Sequence, residues 1–290
     1  MGHSDNRMLG ADFVRASACM IVLLHHLGQR IDFNSALGSE PWQVLSNGGG
    51  LGVGIFFILS GFLLSLPFWR ALDAQEALPS LRVYWLRRAA RILPGFWLAL
   101  IVAFVLSFTL FGARLDQWLW IRFFAGFFLV SDWHWLTFFP VEVNPPLWSI
   151  GFEITAYAIL PLGFAAIAFL GRRLPALAKR VAWLGVIGLA LLAHMAFYSL
   201  VEVDPINKGW EFGLQGGAKT WMPWFNPFSF FAMFAVGALA GGLQTLLARW
   251  RHWLFDLAFL AALAAAGFYM WDMAREEMGE FYRWLRVPYS

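Results

Sequence analysis

Long apolar runs separated by short polar loops organise this chain. The runs lie at 11–28, 51–69, 92–111, 123–139, 147–170, 181–200, 227–247 and 253–271. Most approach the roughly 20 residues that a helix needs to cross a bilayer. The pattern predicts an all-α polytopic transmembrane helix bundle of about seven to eight membrane segments, forming a single domain over 1–290. The stretches 70–91, 171–180 and 248–252 hold most of the Arg and Lys. The positive-inside rule places all three in the cytoplasm, and the N-terminus with them. The Gly-, Pro- and Asn-rich loops 29–50 and 201–226 are expected on the opposite side.

This arrangement carries a conflict of parity. Three apolar runs separate loop 70–91 from loop 171–180, yet an odd number of crossings cannot return the chain to one side. The weakest run is 123–139, interrupted by Asp132 and His134 and followed by Pro140, Pro145 and Pro146. It is expected to be re-entrant or peripheral, which leaves seven crossings. Irregular backbone at membrane depth is tolerated only where protein or water covers it, so that region should border a cavity. The alternative is that the charge rule fails at one loop.

Composition narrows the class further. The chain is 60% hydrophobic and 13% charged, against about 25% charged in a globular protein, which excludes a soluble domain. Its formal charge of +3 is small and shows no basic stripe for nucleic acid. Cys19 is the single cysteine, so no intrachain disulfide is possible. The first run carries Asp12, Arg15, His25 and His26 and lacks a small-residue cleavage site, and is therefore expected to stay as a membrane helix.

That first run also bears the most informative chemistry. Arg15 and His26 are eleven residues apart, close to three turns, so they share one helix face about 16 Å apart. His25 points about 100° away from that face. Ionisable groups in a membrane helix usually face a bundle interior or a water-filled path. An imidazole with an ordinary pKa near 6.5 is the natural proton acceptor at neutral pH. Asp12 and Arg15 also fit simple snorkelling at a membrane surface.

Three further blocks stand out. Gly52, Gly54, Ser60 and Gly61 lie in a Phe-rich run, where small residues commonly serve helix packing. Gly237 and Gly241 form a second packing face of that kind. Arg87, Arg88 and Arg91, followed by Pro94, present a joint cationic face at a helix start. Such a face suits phosphate, because a guanidinium makes bidentate contacts, and it equally suits membrane anchoring. Glu153 sits well inside an apolar run with Tyr157 one turn later and Asn144, Trp148 and Ser149 ahead of it. Its expected partner is His26 or Arg15, either as part of a functional site or as a structural ion pair. No zinc spacing, nucleotide-type glycine loop or Gly-x-Ser-x-Gly elbow is present, and no metal is expected.

Taken in order, these blocks resemble the acyltransferase 3 family of integral-membrane acyltransferases. The family's Asp-x-x-Arg pattern, followed by His after ten residues, corresponds to Asp12, Arg15 and His26. Its Gly-Val-Asp-x-Phe-Phe-x-x-Ser-Gly-Phe block corresponds to 52–62, with Ser60 and Gly61 in place. Its Arg-Arg-x-x-Arg-Ile-x-Pro block matches Arg87, Arg88, Arg91, Ile92 and Pro94. Its Pro-Leu-Trp-Ser-Leu-x-x-Glu block matches Pro146, Leu147, Trp148, Ser149 and Glu153, with Tyr157 in register. Two departures stand: Gly54 replaces the acid of the second block, and no Ser-Tyr-x-x-Tyr-Leu-x-His-type block follows. The family is described with ten membrane helices, so this chain is expected to lack C-terminal ones.

The resemblance implies transfer of an acyl group, commonly acetyl, from cytoplasmic acyl-CoA to a hydroxyl of a carbohydrate or other cell-envelope or exported acceptor. It implies a bacterial inner-membrane location. Arg87, Arg88 and Arg91 are then expected to hold CoA phosphates, and His26 to act as general base or acyl relay. Arg15 is expected to polarise the thioester carbonyl, and Glu153 to orient the imidazole. Asp12, Ser60, Asn144, Trp148, Ser149 and Tyr157 are expected as substrate or supporting residues. Two other readings remain open: a proton-coupled transporter with His26, Arg15 and Glu153 as relay, and an inactive truncated fragment.

Overall fold

The computed structural model describes residues 8–28 and 49–248, with scattered helical positions between 253 and 268. The expected loop at 29–48, the basic stretch 249–252 and everything after Phe268 lie outside the described residues; the run 253–271 is described only at those scattered positions. The helices are α1 (Leu9–Gly28), α2 (Gly49–Asp73), α3 (Leu81–Thr109), α4 (Gln117–Phe127), α5 (Trp148–Gly171), α6 (Ala176–Leu200), α7 (Gly213–Trp221) and α8 (Pro227–Leu247). Five of the helices among the described residues, α2, α3, α5, α6 and α8, are long and apolar enough to cross a membrane. They realise the expected runs at 51–69, 92–111, 147–170, 181–200 and 227–247. α1 realises the run at 11–28, but its two charges and two histidines keep it out of that set.

Boundaries move where helix-forming polar residues flank an apolar run. α3 begins at Leu81, eleven residues before the apolar run, because the Arg-, Leu- and Ala-rich stretch ahead of it has high helix propensity. Pro94 was expected near a helix start and instead lies inside α3. The linker between α2 and α3 is correspondingly short.

Packing contacts fix the direction of each crossing. α2 and α8 run parallel: Ile58 meets Gly237, Gly61 meets Phe234, Phe62 and Ser65 meet Gly241, and Trp69 meets Gly242. Trp69 Nε1 donates to Ala238 O at 2.7 Å, and Ser65 Oγ donates to the same oxygen at 3.2 Å. α5 is parallel to α8, with Phe152 against Phe230 and Tyr157 against Phe234. α6 is antiparallel to α8: Arg180 bonds Gly242 O, Trp183 bonds Ala235 O, and His194 Nδ1 lies 2.7 Å from Asn226 Nδ2. α3 is antiparallel to α5, since Tyr84 reaches Tyr157 while Arg88 and Arg91, further along, act on Glu153. The five crossings therefore alternate in direction, as a chain threading a bilayer must.

The same contacts bring the basic stretches 70–91 and 171–180 to one end. Arg180 Nη1 and Nη2 donate to both oxygens of Asp73 at 2.5 and 2.6 Å, and Nη2 donates to Thr245 Oγ1 at 2.7 Å. Gln75 and Arg172 exchange two bonds across the neighbouring linkers. The ends of α2, α5 and α8 and the start of α6 thus share this basic end. Arg180, at the end of the basic stretch 171–180, is buried, with Trp69 beneath its guanidinium at 4.3 Å. The lone Asp73 and the facing Trp69 supply the partners that make such burial tolerable.

α4 resolves the conflict of parity. Asp116 caps it, accepting from Leu119 N at 2.9 Å. The helix then descends along α3, from Trp120 and Phe123 against Phe104 to Phe127 stacked on Trp97. Its eleven residues span about 16 Å, half of a hydrocarbon core of about 30 Å. Gly126 admits Pro140, to which a Cβ would lie 2.7 Å away. A 3-10 turn at Ser131–Trp133 then meets Gly151 and Thr155 of α5, and the chain returns to Trp148 on the side it came from. Compared with the expected run at 123–139, the helix is shifted toward the N-terminus, because Asp116 starts it and Leu129, with φ 63°, ends it. The irregular backbone is covered by α3 and α5, as burial at membrane depth requires.

The close contact of α2 and α8 generates a test. A Cβ on Gly61 or Gly237 would overlap the carbonyl oxygen of Phe234 or Ile58, whereas one on Gly185 meets nothing within 4 Å. Gly61→Ala and Gly237→Ala should each destabilise the protein by about 1–3 kcal/mol through overpacking. Gly185→Ala should be neutral or stabilising by up to about 1 kcal/mol. Thermal melts of the three variants in detergent, followed by circular dichroism, separate the two classes.

Candidate functional site

Glu153 lies five residues into α5, about 8 Å from its start, and its carboxylate is the centre of a cluster drawn from three other helices. The Tyr157 hydroxyl donates to Oε1 in a short bond, and Ser60 Oγ of α2 donates to the same oxygen at 3.5 Å. The charges of Arg91 and Arg88 on α3 act on this carboxylate. Tyr84, one turn before Arg88, donates its hydroxyl to Tyr157 O at 3.2 Å and sets its ring edge against Phe68. Phe234 of α8 closes the far side of Tyr157.

Local sequence explains why these groups converge. Ser60 precedes Gly61, whose missing side chain lets α8 approach, so the hydroxyl is carried on the most closely packed part of α2. Tyr84, Arg88 and Arg91 follow one another at helical spacings of four and three on α3. Glu153 and Tyr157 are i and i+4 on α5. A carboxylate at this depth needs donors or cations, and the cluster supplies two hydroxyls and two guanidinium charges. Such a group can hold a proton, orient hydroxyls and fix the direction of the neighbouring arginines.

The residues expected from sequence divide unequally. Ser60, Arg88, Arg91, Glu153 and Tyr157 come together. Arg87 is exposed on α3. Arg15 and His26 were expected to partner Glu153, but the carboxylate's hydrogen-bond and charge partners among the described residues are those above. Arg15 Nη1 instead donates to Asp12 of its own helix at 3.0 Å, because the i,i+3 spacing puts a carboxylate within immediate reach. His25 and His26 are half-buried, their rings edge to face at 5.0 Å. The face of α1 carrying Arg15 and His26 also carries Ala18 and Val22, which meet Gly52 of α2. Gly54, where the resembled block has an acid, faces Met233 Sδ of α8, 3.8 Å from a built Cβ.

The block ahead of Glu153 builds the start of α5. Asn144 O accepts from Leu147 N at 3.2 Å, and Ser149 Oγ donates to Pro146 O at 3.1 Å. Trp148 is buried and stacks on Phe138, with Phe225 and Phe230 nearby. Three elements went unread. Tyr84 was legible one turn before Arg88 had the helix been extended backwards. Asp132, buried and bonded by Thr155 Oγ1 at 2.8 Å, looked like a mere interruption. The polar groups around Arg122 and Lys219 carried no recognisable spacing.

The Acyltransferase domain family matches residues 8–289, nearly the whole chain. This chain belongs to that family. Among curated relatives, YrhL of Bacillus subtilis is 32% identical over 161 residues, covering 53% of this chain and 23% of its own. The peptidoglycan O-acetyltransferase OatA of Listeria monocytogenes is 30% identical over 191 residues, covering 63% of this chain and 27% of its own. The O-acetyltransferase OatA of Staphylococcus aureus is 29% identical over 169 residues, covering 55% and 25%. The chain thus spans about a quarter of the length of the curated relatives it matches. No solved structure matches it. Within this acyltransferase-domain chain, the four blocks that carry the resemblance meet at the α1–α2 contact and around Glu153.

Tyr157→Phe removes the donor of the short bond to Glu153 while preserving the ring against Phe234. A hydrogen bond to a charged group contributes about 1.5–3 kcal/mol, so this variant should lower the melting temperature measurably in detergent. Ser60→Ala, which loses the longer bond, should cost less.

Proposed function

We propose that this chain is a membrane O-acyltransferase that moves an acyl group, foremost acetyl, from acyl-CoA to a hydroxyl of a cell-envelope carbohydrate. The observation that carries the reading is the Glu153 cluster, a half-buried carboxylate on which the charges of two arginines act, inside a bundle of this family. Relatives named as peptidoglycan O-acetyltransferases support the acceptor class. The basic end faces the cytoplasm in this reading, which puts the N-terminus of α1 there, in a bacterial inner membrane.

Arg87, Arg88 and Arg91 bind the phosphates of CoA from one face of α3, on which Arg87 and Arg91 are exposed and Arg88 is half-buried. Glu153, held by Tyr157 and Ser60, places a carboxylate whose charge acts on Arg88 and Arg91; it is a positioning residue here. His26 accepts the proton of the acceptor hydroxyl as its oxygen attacks the thioester carbonyl carbon. The new C–O bond forms, the C–S bond breaks, and the departing CoA thiolate takes the proton back from His26. Arg15 offsets the charge that develops on the carbonyl oxygen, the kind of electrostatic contribution that is often the largest.

Calorimetric titration of the purified chain with acetyl-CoA should give saturable binding. Arg88→Ala/Arg91→Ala should weaken it about 10- to 100-fold, as loss of charge-assisted bonds predicts. His26→Ala should keep donor binding and lose transfer to envelope saccharide by about 10²- to 10⁴-fold. Unchanged binding in the double variant would remove the arginines from the donor site, and full transfer by His26→Ala would remove His26 from the chemistry.

A further inference from the structure

At the end of the bundle opposite the basic loops lies a cavity of about 760 Å³, well within the range of about 300–1,000 Å³ for small-molecule sites. The start of α4, the stretch around Trp135 and Leu136, and α7 enclose it. None of its residues belongs to the Glu153 cluster. Its most telling members are Trp118, Arg122, Trp135, Phe212, Gln215 and Lys219.

Two of these side chains are left open. Arg122 is only 5% exposed and donates from Nη2 to Glu142 at 2.9 Å, while its Nε and Nη1 are buried with no hydrogen-bond partner. Both polar atoms of Gln215, Nε2 and Oε1, are likewise buried without one. Leaving such groups unmade is costly, so each calls for a partner, whether a water, an ion or a polar ligand. Lys219, by contrast, is satisfied: it donates to Asp204 at 2.7 Å and to Ile206 O at 2.5 Å, over the Trp135 ring. Its hydrogen bond holds the Asp204 carboxyl below the usual carboxylate range, so that pair stays ionised. Asp116 is engaged as the cap of α4. The buried groups of the lining still seeking partners are therefore two guanidinium nitrogens and one amide, with the exposed Arg114 adding a second cation at the rim.

We infer that this cavity binds a saccharide bearing a carboxylate. A pyranose presents an apolar C–H face and a rim of hydroxyls. Trp118, Trp135 and Phe212 offer aromatic surface for the first, and Gln215 offers a donor and an acceptor for the second. The open nitrogens of Arg122 select a carboxylate on the sugar. This binding stands apart from the acyl-transfer reading above.

Binding to the detergent-purified chain, with no acyl-CoA present, tests this directly. The probes are a tetrasaccharide alternating N-acetylglucosamine with carboxylated N-acetylmuramic acid, and the neutral tetramer of N-acetylglucosamine. The acidic probe should bind at least tenfold more tightly. Arg122→Gln should abolish that preference. Gln215→Leu should weaken both probes about five- to tenfold while raising the melting temperature, because it removes buried unpaired atoms; a merely structural role would not move the two in opposite directions. Equal affinity for the two probes, no binding of either, or unchanged binding in Gln215→Leu would each overturn the inference. Failure of acetyl-CoA binding, measured separately, would count against the donor reading alone.

Discussion

The contact on which the bundle depends is the backbone-to-backbone approach of α2 and α8. Gly61 and Gly237 each accept a carbonyl of the opposite helix where a side chain would stand. Without a hydrophobic drive between helices in lipid, such close packing supplies much of their association. Ser65 and Trp69 can then share the Ala238 carbonyl, and Trp69 lies where Arg180 of α6 can cover it. α5 enters the groove through Phe152, Tyr157 and Phe164. Ser60 and Glu153 meet because both helices that carry them are seated on α8.

Charge inside this bundle is handled by enclosure. Arg180 has a carboxylate, a hydroxyl, a carbonyl and an aromatic face around it, and neighbouring Lys179 donates to Leu72 O at 2.5 Å. A buried pair so furnished is weak evidence for stability, although removing one member is strongly destabilising. The basic end therefore combines anchoring at the surface with pinning of α6 against α2 and α8. Arg122 at the opposite end breaks the pattern with two donors left open, and that contrast sets its cavity apart from structural pairs.

Much of the architecture was legible in the pattern of apolar runs, because a helix in lipid must satisfy its own backbone and so announces its length. Five crossings, the packing glycines and the weakness of the run near Asp132 could all be read. The start of α3 was missed because apolar runs alone mark the buried length of a helix, although its Arg-, Leu- and Ala-rich residues favour helix. At the site, Ser60, Glu153 and Tyr157 were recognisable as polar groups in apolar surroundings, but the partner of Glu153 was not. Helical periodicity tells which residues share a face of one helix; which faces meet is decided by packing between distant segments. Arg15 illustrates the limit, because Asp12 three residues away satisfies it before any other helix is considered. Arg122, Gln215 and Lys219 acquire meaning only through the folding of α4 and α7 toward each other.

The marriage of α2 to α8 also dictates an order of events during synthesis. The two partners are more than 150 residues apart, so at about 5–20 residues per second the ribosome takes on the order of ten to thirty seconds to deliver the second after the first. Through that interval the glycine groove of α2 lacks its partner, and Ser65 has only the Phe62 carbonyl of its own helix to bond. α5 arrives before α8 and can meet only part of its final surroundings. The native core is consequently assembled late, when α8 slides into a space that earlier helices have kept open.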